Sequence, residues 1–103
     1  MERRKMLEEF VAQNPTDSFA RYGLALELVN SGDAESGLRE FERLLELNPE
    51  YTAGYQMYGQ TLIQTGESER AIPVLQKGIE TARQAGNTKA VSEMQGLLDE
   101  IQP

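Results

Sequence analysis

The feature that most constrains this chain is a self-similarity at an offset of 34 residues. Asn14-Pro15 falls on Asn48-Pro49, and Ser31-Gly32 falls on Thr65-Gly66. Apolar positions keep the same offset: Leu28-Val29 with Leu62-Ile63, Leu38 with Ile72, Phe41 with Leu75, and Leu45 with Ile79. A repeat of this length indicates a supersecondary unit that buries its apolar face against neighbouring copies of itself.

Each unit has the pattern of two helices joined by a glycine turn. Residues 18–31 carry a wide apolar face, and residues 34–47 carry an apolar stripe at helical spacing. Gly32 ends the first helix, and Asn48-Pro49 ends the second, because proline disfavours helix in the residue before it. The second unit repeats the pattern, with helices predicted over 52–65 and from Ser68 to about Arg83. Pro73 falls inside the last helix and predicts a kink there, or alternatively a hinge.

The two ends of the chain have the pattern of half-units. Residues 3–13 match the second helix of a unit, and residues 88–101 form a one-sided amphipathic helix suited to the end of a stack. The sequence therefore predicts an all-α, single domain over residues 1–103 built from six antiparallel helices. Its parts are an N-terminal half-unit helix over 3–13, a first repeat over 18–51, a second repeat over 52–85 and a capping helix over 88–101.

The units resemble the tetratricopeptide repeat (TPR), a 34-residue helix-turn-helix with the pattern W-x₂-L-G-x₂-Y, A-x₃-F and P. The second unit has Tyr55-x₂-Tyr58-Gly59-x₂-Leu62 and Ala71-x₃-Leu75, and the first has Arg21-x₂-Leu24-Ala25-x₂-Leu28, Gly37-x₃-Phe41 and Pro49. Departures are Arg21 at a position that is usually aromatic, Leu44 and Gly78 where alanine is usual, and Arg83 in place of the closing proline. The resemblance implies a small bacterial-type TPR protein or domain that folds as an α-solenoid, a right-handed superhelix of helix pairs.

The resemblance also implies a non-catalytic module that binds a peptide or helix of a partner protein in a concave groove lined by the first helix of each unit. The implied groove positions are Phe19, Tyr22, Leu26, Val29, Asn30, Ala53, Gln56, Gln60, Ile63 and Gln64. Their amide side chains both donate and accept hydrogen bonds, which suits the backbone of an extended peptide. The alternative is that these residues are only the inner wall of the helix stack and bind no partner, or that the final helix covers them. In the family's carboxylate clamp, lysine, arginine and asparagine side chains on this wall bind the acidic C-terminus of a chaperone. The matching positions here are Tyr22, Leu26, Gln56 and Gln60, and none of them is a cation. Recognition of an acidic chaperone tail is therefore not expected.

A second hypothesis is self-association through the N-terminal helix. The predicted helix over 3–13 lacks a partner helix on one side, where Met6 and Phe10 are apolar. These residues would pack against the same end of a second copy and give an isologous homodimer.

Composition excludes several other functions. The chain has no cysteine and no histidine, which removes disulfides, thiolate and histidine catalysis, and the usual zinc ligands. We therefore expect no enzyme activity, no metal and no cofactor. A net charge of −7 with scattered lysines and arginines argues against nucleic acid as a partner. No apolar run approaches the roughly 18 residues of a membrane span, and no secretion signal is visible, so we expect a cytoplasmic protein or an excised domain.

Overall fold

The computed structural model describes residues 2–102, and these form six α-helices with no strand among them. The helices are α1 (Glu2–Gln13), α2 (Ser18–Asn30), α3 (Ala34–Leu47), α4 (Thr52–Gln64), α5 (Ser68–Gln84) and α6 (Thr88–Ile101). The prediction of an all-α chain with six helices is confirmed, and the observed ends lie within about one residue of the predicted ones. The helix α5 continues through Pro73 to Gln84.

Short polar side chains fix where several helices begin. The Asp17 carboxylate accepts a hydrogen bond from the backbone N–H of Ala20 at 3.0 Å, and Asp33 does the same for Ser36 at 3.2 Å. Asn87 caps α6 in the same way. Each cap satisfies one of the backbone donors that the first turn of a helix leaves without an intrahelical partner.

Glycines end three of the helices in the same geometry. Gly32, Gly66 and Gly86 have φ angles of 93°, 82° and 71°, the left-handed conformation that a Cβ atom disfavours. After the first of them, the backbone N–H of Asp33 returns to the carbonyl of Leu28 at 2.8 Å. This closure satisfies a terminal carbonyl and turns the chain sharply into the next helix. The turn glycines predicted from the repeat are therefore the residues that reverse the chain.

The chain divides between Tyr51 and Thr52 into two compact units, α1–α3 and α4–α6. In each unit consecutive helices pack on one another, and α6 also contacts α4. The core of the first unit comprises Val11, Ala20, Leu24, Ala25, Leu28, Leu38, Phe41 and Leu44. The core of the second comprises Tyr55, Tyr58, Leu62, Ala71, Leu75, Ile79, Ala82, Ala90, Met94 and Leu98. The assignment of all 103 residues to a single domain remains a prediction.

Small residues allow the closest approaches between helices. A Cβ atom at Gly37 of α3 would lie 3.0 Å from the backbone oxygen of Ala25 and 2.5 Å from the Val29 side chain. A Cβ atom at Gly59 would lie 2.5 Å from the side chain of Leu75. The glycine in α3 therefore makes room for a neighbouring backbone, whereas the glycine in α4 makes room for a buried side chain.

Candidate partner-binding surface

The five predicted residues of α2 lie at accessible positions outside the core of the first unit. Phe19 keeps 77% of its surface exposed, Asn30 is exposed, and Tyr22, Leu26 and Val29 are half-buried. Their spacing along the chain follows helical periodicity, which places them on one side of α2. An exposed phenylalanine on a mostly apolar helix face is the kind of position at which a partner side chain can pack.

Two of these residues also support the fold of the first unit. The Tyr22 ring lies 5.4 Å from the Tyr51 ring and 6.3 Å from the Phe41 ring, in tilted arrangements typical of favourable aromatic pairs. Burial raises the pKa of the Tyr22 hydroxyl above its usual value. Val29 packs against Gly37 of α3. Tyr22 and Val29 are therefore held by contacts to other parts of the unit, whereas Phe19 projects into solvent.

The five predicted residues of α4 are likewise accessible in the second unit. Ala53 and Gln64 are exposed, and Gln56, Gln60 and Ile63 are half-buried. The structure thus gives each unit a face made of five predicted residues, apolar and aromatic on α2 and rich in amides on α4.

The helix α6 borders the α4 face, as in the alternative that some of these residues lie under the final helix. The Gln56 amide nitrogen donates a hydrogen bond to the Glu93 carboxylate at 2.9 Å, and Lys89 lies 4.0 Å from the same carboxylate group. A cavity of about 170 Å³ is lined here by Thr52, Ala53, Gln56, Asn87, Lys89, Ala90 and Glu93. From the sequence, residues 88–101 were predicted only as a one-sided amphipathic capping helix. Spacing within α6 cannot reveal that the side with Lys89 and Glu93 faces α4.

The opposite side of α2 carries a larger cavity, of about 520 Å³, between α1 and α3. Arg21 lies at its base with its side chain only 10% exposed. Its guanidinium donates to the Glu40 carboxylate at 2.8 Å and to the Pro15 carbonyl at 3.1 Å, while its buried Nε has no partner. The arginine that replaces the usual aromatic residue therefore ties α2 to α3 and to the turn after α1.

The remaining chemistry of the described residues is that of a charged helical surface. Within residues 2–102, no group of three acidic side chains could hold a metal ion. No helix in this part of the chain is long and apolar enough to cross a membrane. Most ion pairs connect residues three or four apart on exposed helix faces, where such pairs contribute little to stability.

Comparisons with known proteins agree on one family. The sequence model of the tetratricopeptide repeat matches residues 28–98. A TPR repeat-containing protein of Pseudomonas aeruginosa is 28% identical over 95 residues, which cover 92% of this chain and 90% of that protein. The solution structure of a TPR domain protein from Salinibacter ruber has a TM-score of 0.80 at 34% identity, covering 85% of this chain and 89% of its own. A protein from Bordetella parapertussis shares the fold, with a TM-score of 0.81 at 22% identity, covering 95% of this chain and 85% of its own.

Proposed function

Because this chain belongs to the tetratricopeptide repeat family, whose members are generally protein-interaction modules, we propose that it binds a peptide or helix of a partner protein. The contacts would be made by the exposed faces of α2 and α4, and the chain would catalyse no reaction. In this proposal residues 18–51 and 52–85 are the two full repeats. The observation that carries it is that all ten predicted contact residues are accessible, including a phenylalanine that is 77% exposed.

The α2 face is suited to an apolar anchor of the partner. Phe19 and the half-buried Leu26, seven residues apart, present aromatic and aliphatic surface on the same side of the helix. Large aromatic residues at accessible positions are the ones that most often dominate binding energy in protein interfaces. Tyr22 borders this surface and is held in place by Tyr51, so little side-chain freedom is lost when a partner packs on it.

The α4 face is suited to a polar backbone. Gln60 and Gln64 each offer an amide oxygen and an amide nitrogen, which can pair with the N–H and C=O groups of an extended segment. Gln56 is already hydrogen-bonded to Glu93, so we expect Gln60 and Gln64 to contribute more than Gln56.

The proposal is tested by selecting peptides from a displayed random library on the full chain and measuring their affinity by fluorescence anisotropy. The double variant Phe19→Ala/Gln60→Ala should weaken a selected peptide at least about tenfold, which corresponds to roughly 1.4 kcal/mol. Tyr22 is left intact because its ring contacts Phe41 and its removal would disturb the core.

The matched control is Leu47→Ala, an exposed apolar residue at the end of α3. It should leave peptide affinity unchanged. The assignment of these two faces would be contradicted if the double variant bound the peptides as tightly as the parent chain does. It would also be contradicted if Leu47→Ala lost as much peptide affinity as the double variant.

A further inference from the structure

Helix α1 carries an exposed apolar stripe that the proposed peptide surface does not use. Met6 is 66% exposed and Phe10 48% exposed, and they lie four residues apart on one side of the helix. The same side of α1 forms an open, mainly apolar depression lined by Glu2, Arg3, Met6, Leu7 and Phe10. We call Met6 and Phe10 the α1 stripe; the adjacent Leu7 is half-buried and packs against the buried cluster that α1 and α2 share. Exposed apolar surface of this kind marks an interaction site more often than isolated apolar residues do.

The second unit shows what such a stripe packs against. Two repeat lengths, or 68 residues, relate the exposed Phe10 to Gly78 on α5. In that unit Gly78 lies against both Tyr55 of α4 and Met94 of α6, so the equivalent point of α5 is covered by the helix before it and the helix after it. In the first unit α1 packs on α2, the counterpart of α6, but no helix among residues 2–51 holds the position that α4 holds against α5, so Met6 and Phe10 stay exposed. By the protein's own repeat, the stripe is the position of an antiparallel helix.

We propose that the α1 of a second copy occupies this position, giving a two-fold symmetric homodimer in which the two α1 helices pack antiparallel. The charges beside the stripe support this occupant. Arg4 is paired with Glu8 and Asp33, and Arg3 with Glu27, inside one chain. The helix also carries Lys5 and Glu9, four residues apart and both exposed, and neither pairs with another side chain within residues 2–102.

The symmetry of an antiparallel pair matches these two charges. A two-fold axis perpendicular to α1 near residue 7 places the same side of each helix beside the other. Symmetry then requires that, if residue i of one copy meets residue j of its partner, residue j of the first copy meets residue i of the partner. Lys5 therefore lies beside Glu9 of the partner subunit, and Glu9 beside Lys5 of the partner subunit. The same axis places Met6 between Met6 and Phe10 of the partner subunit, where its sulfur can contact the aromatic ring. One arrangement thus buries the stripe and pairs both charges.

The first test measures mass as a function of concentration for the full chain, by sedimentation equilibrium. We expect the apparent mass to rise from 11.5 kDa toward twice that value between about 1 µM and 1 mM. The dimer should be weak, because a contact between two short helices buries little surface. Met6→Glu should raise the dissociation constant at least about tenfold, with an unchanged far-UV circular dichroism spectrum. The control Leu47→Glu, which also adds a charge at an exposed apolar site, should leave it unchanged.

The second test uses charge complementation between chains. Lys5→Glu and Glu9→Lys should each weaken self-association, because each places like charges opposite one another. An equimolar mixture of the two variants should form a heterodimer at least about tenfold tighter than either homodimer, because every contact across the two-fold axis is then between opposite charges. An effect confined to one helix cannot produce this, since neither chain in the mixture regains its own Lys5–Glu9 pair.

The matching control is the exposed pair Lys77 and Glu80 on α5, whose side chains lie 3.8 Å apart. A mixture of Lys77→Glu with Glu80→Lys should associate no more tightly than its components. The proposal is overturned if the parent chain stays monomeric at 1 mM, if Met6→Glu leaves the dissociation constant unchanged, or if the Lys5→Glu and Glu9→Lys mixture shows no gain. The surface lies on α1, so these outcomes leave peptide binding by α2 and α4 untouched.

Discussion

Replacing Gly37 by alanine should destabilise the first unit, although alanine is the better helix former. A Cβ atom there would lie 2.5 Å from the Val29 Cγ2 and 3.0 Å from the backbone oxygen of Ala25. The valine side chain is β-branched and has essentially one rotamer available in a helix. The carbonyl belongs to the α2 backbone, so the contact is relieved only if the two helices move apart.

The magnitude follows from two opposing contributions. Glycine to alanine inside a helix favours the folded state by about 1 kcal/mol. Insertion of one carbon into a fully packed contact costs about 1–3 kcal/mol, and the fixed carbonyl places Gly37 at the upper end of this range. We therefore expect Gly37→Ala to lower the free energy of unfolding by about 1–2 kcal/mol.

The same chain supplies a matched control within the same unit. A Cβ atom at Gly23 of α2 would meet only the Leu7 side chain, at an ordinary contact distance of 3.8 Å. Gly23→Ala should therefore raise the free energy of unfolding by about 0.5–1 kcal/mol through helix propensity alone. In the second unit, Gly96→Ala meets nothing within 4 Å and should stabilise, whereas Gly59→Ala pushes into the buried Leu75 and should not.

The assay is urea denaturation followed by far-UV circular dichroism, with the midpoints of the four variants compared with that of the parent chain. The expected order of stability is Gly23→Ala above the parent and Gly37→Ala below it. If Gly37→Ala were as stable as Gly23→Ala, the close approach of α3 to the Ala25 carbonyl would not exist as described. Equal effects at Gly59 and Gly96 would refute the same reasoning for the second unit.

Three further predictions concern the first unit. Glu40→Ala removes the carboxylate partner of the buried Arg21 and should lower the free energy of unfolding, measured by urea denaturation, by about 2 kcal/mol. The Glu40 side chain is 27% exposed, so the loss is smaller than for a fully buried ion pair. Phe41→Ala should cost about 3–5 kcal/mol in the same assay through the cavity that it leaves, whereas Phe19→Ala should stay within about 0.5 kcal/mol. Hydrogen bonds from Ser36 lower the pKa of the Asp33 carboxyl below its ordinary value of 3.8. The ionised carboxylate therefore stabilises the fold above pH 3.8, and this stabilisation is lost as the pH falls through the lowered pKa. The midpoint difference between the parent chain and Asp33→Asn, measured from about pH 6 to pH 2, should therefore shrink in acid; a constant difference would contradict the role of this carboxylate.

Several residues of the candidate surface show where sequence patterns stop being informative. The resemblance implied that Phe19 and Leu26 line a groove, and in the structure Phe19 is exposed and Leu26 half-buried. The resemblance could not show that Tyr22 is held by Tyr51, because Tyr51 lies outside any helix and its position depends on how the chain leaves α3. Nor could it show that Gln56 bonds to Glu93, since these residues are 37 positions apart and their helices meet only in the folded unit.

The sequence by itself determined the number and type of the helices, their ends and the family. These depend on local chemistry: the 34-residue period, the caps at Asp17 and Asp33, and turn glycines that alone tolerate the left-handed conformation. The tertiary structure decided what each side chain contacts. It placed Arg21 in a buried ion pair, Gly37 against a neighbouring carbonyl and the α1 stripe in solvent. Periodicity specifies which side of a helix is apolar, but only the packing of one helix on another specifies what that side meets.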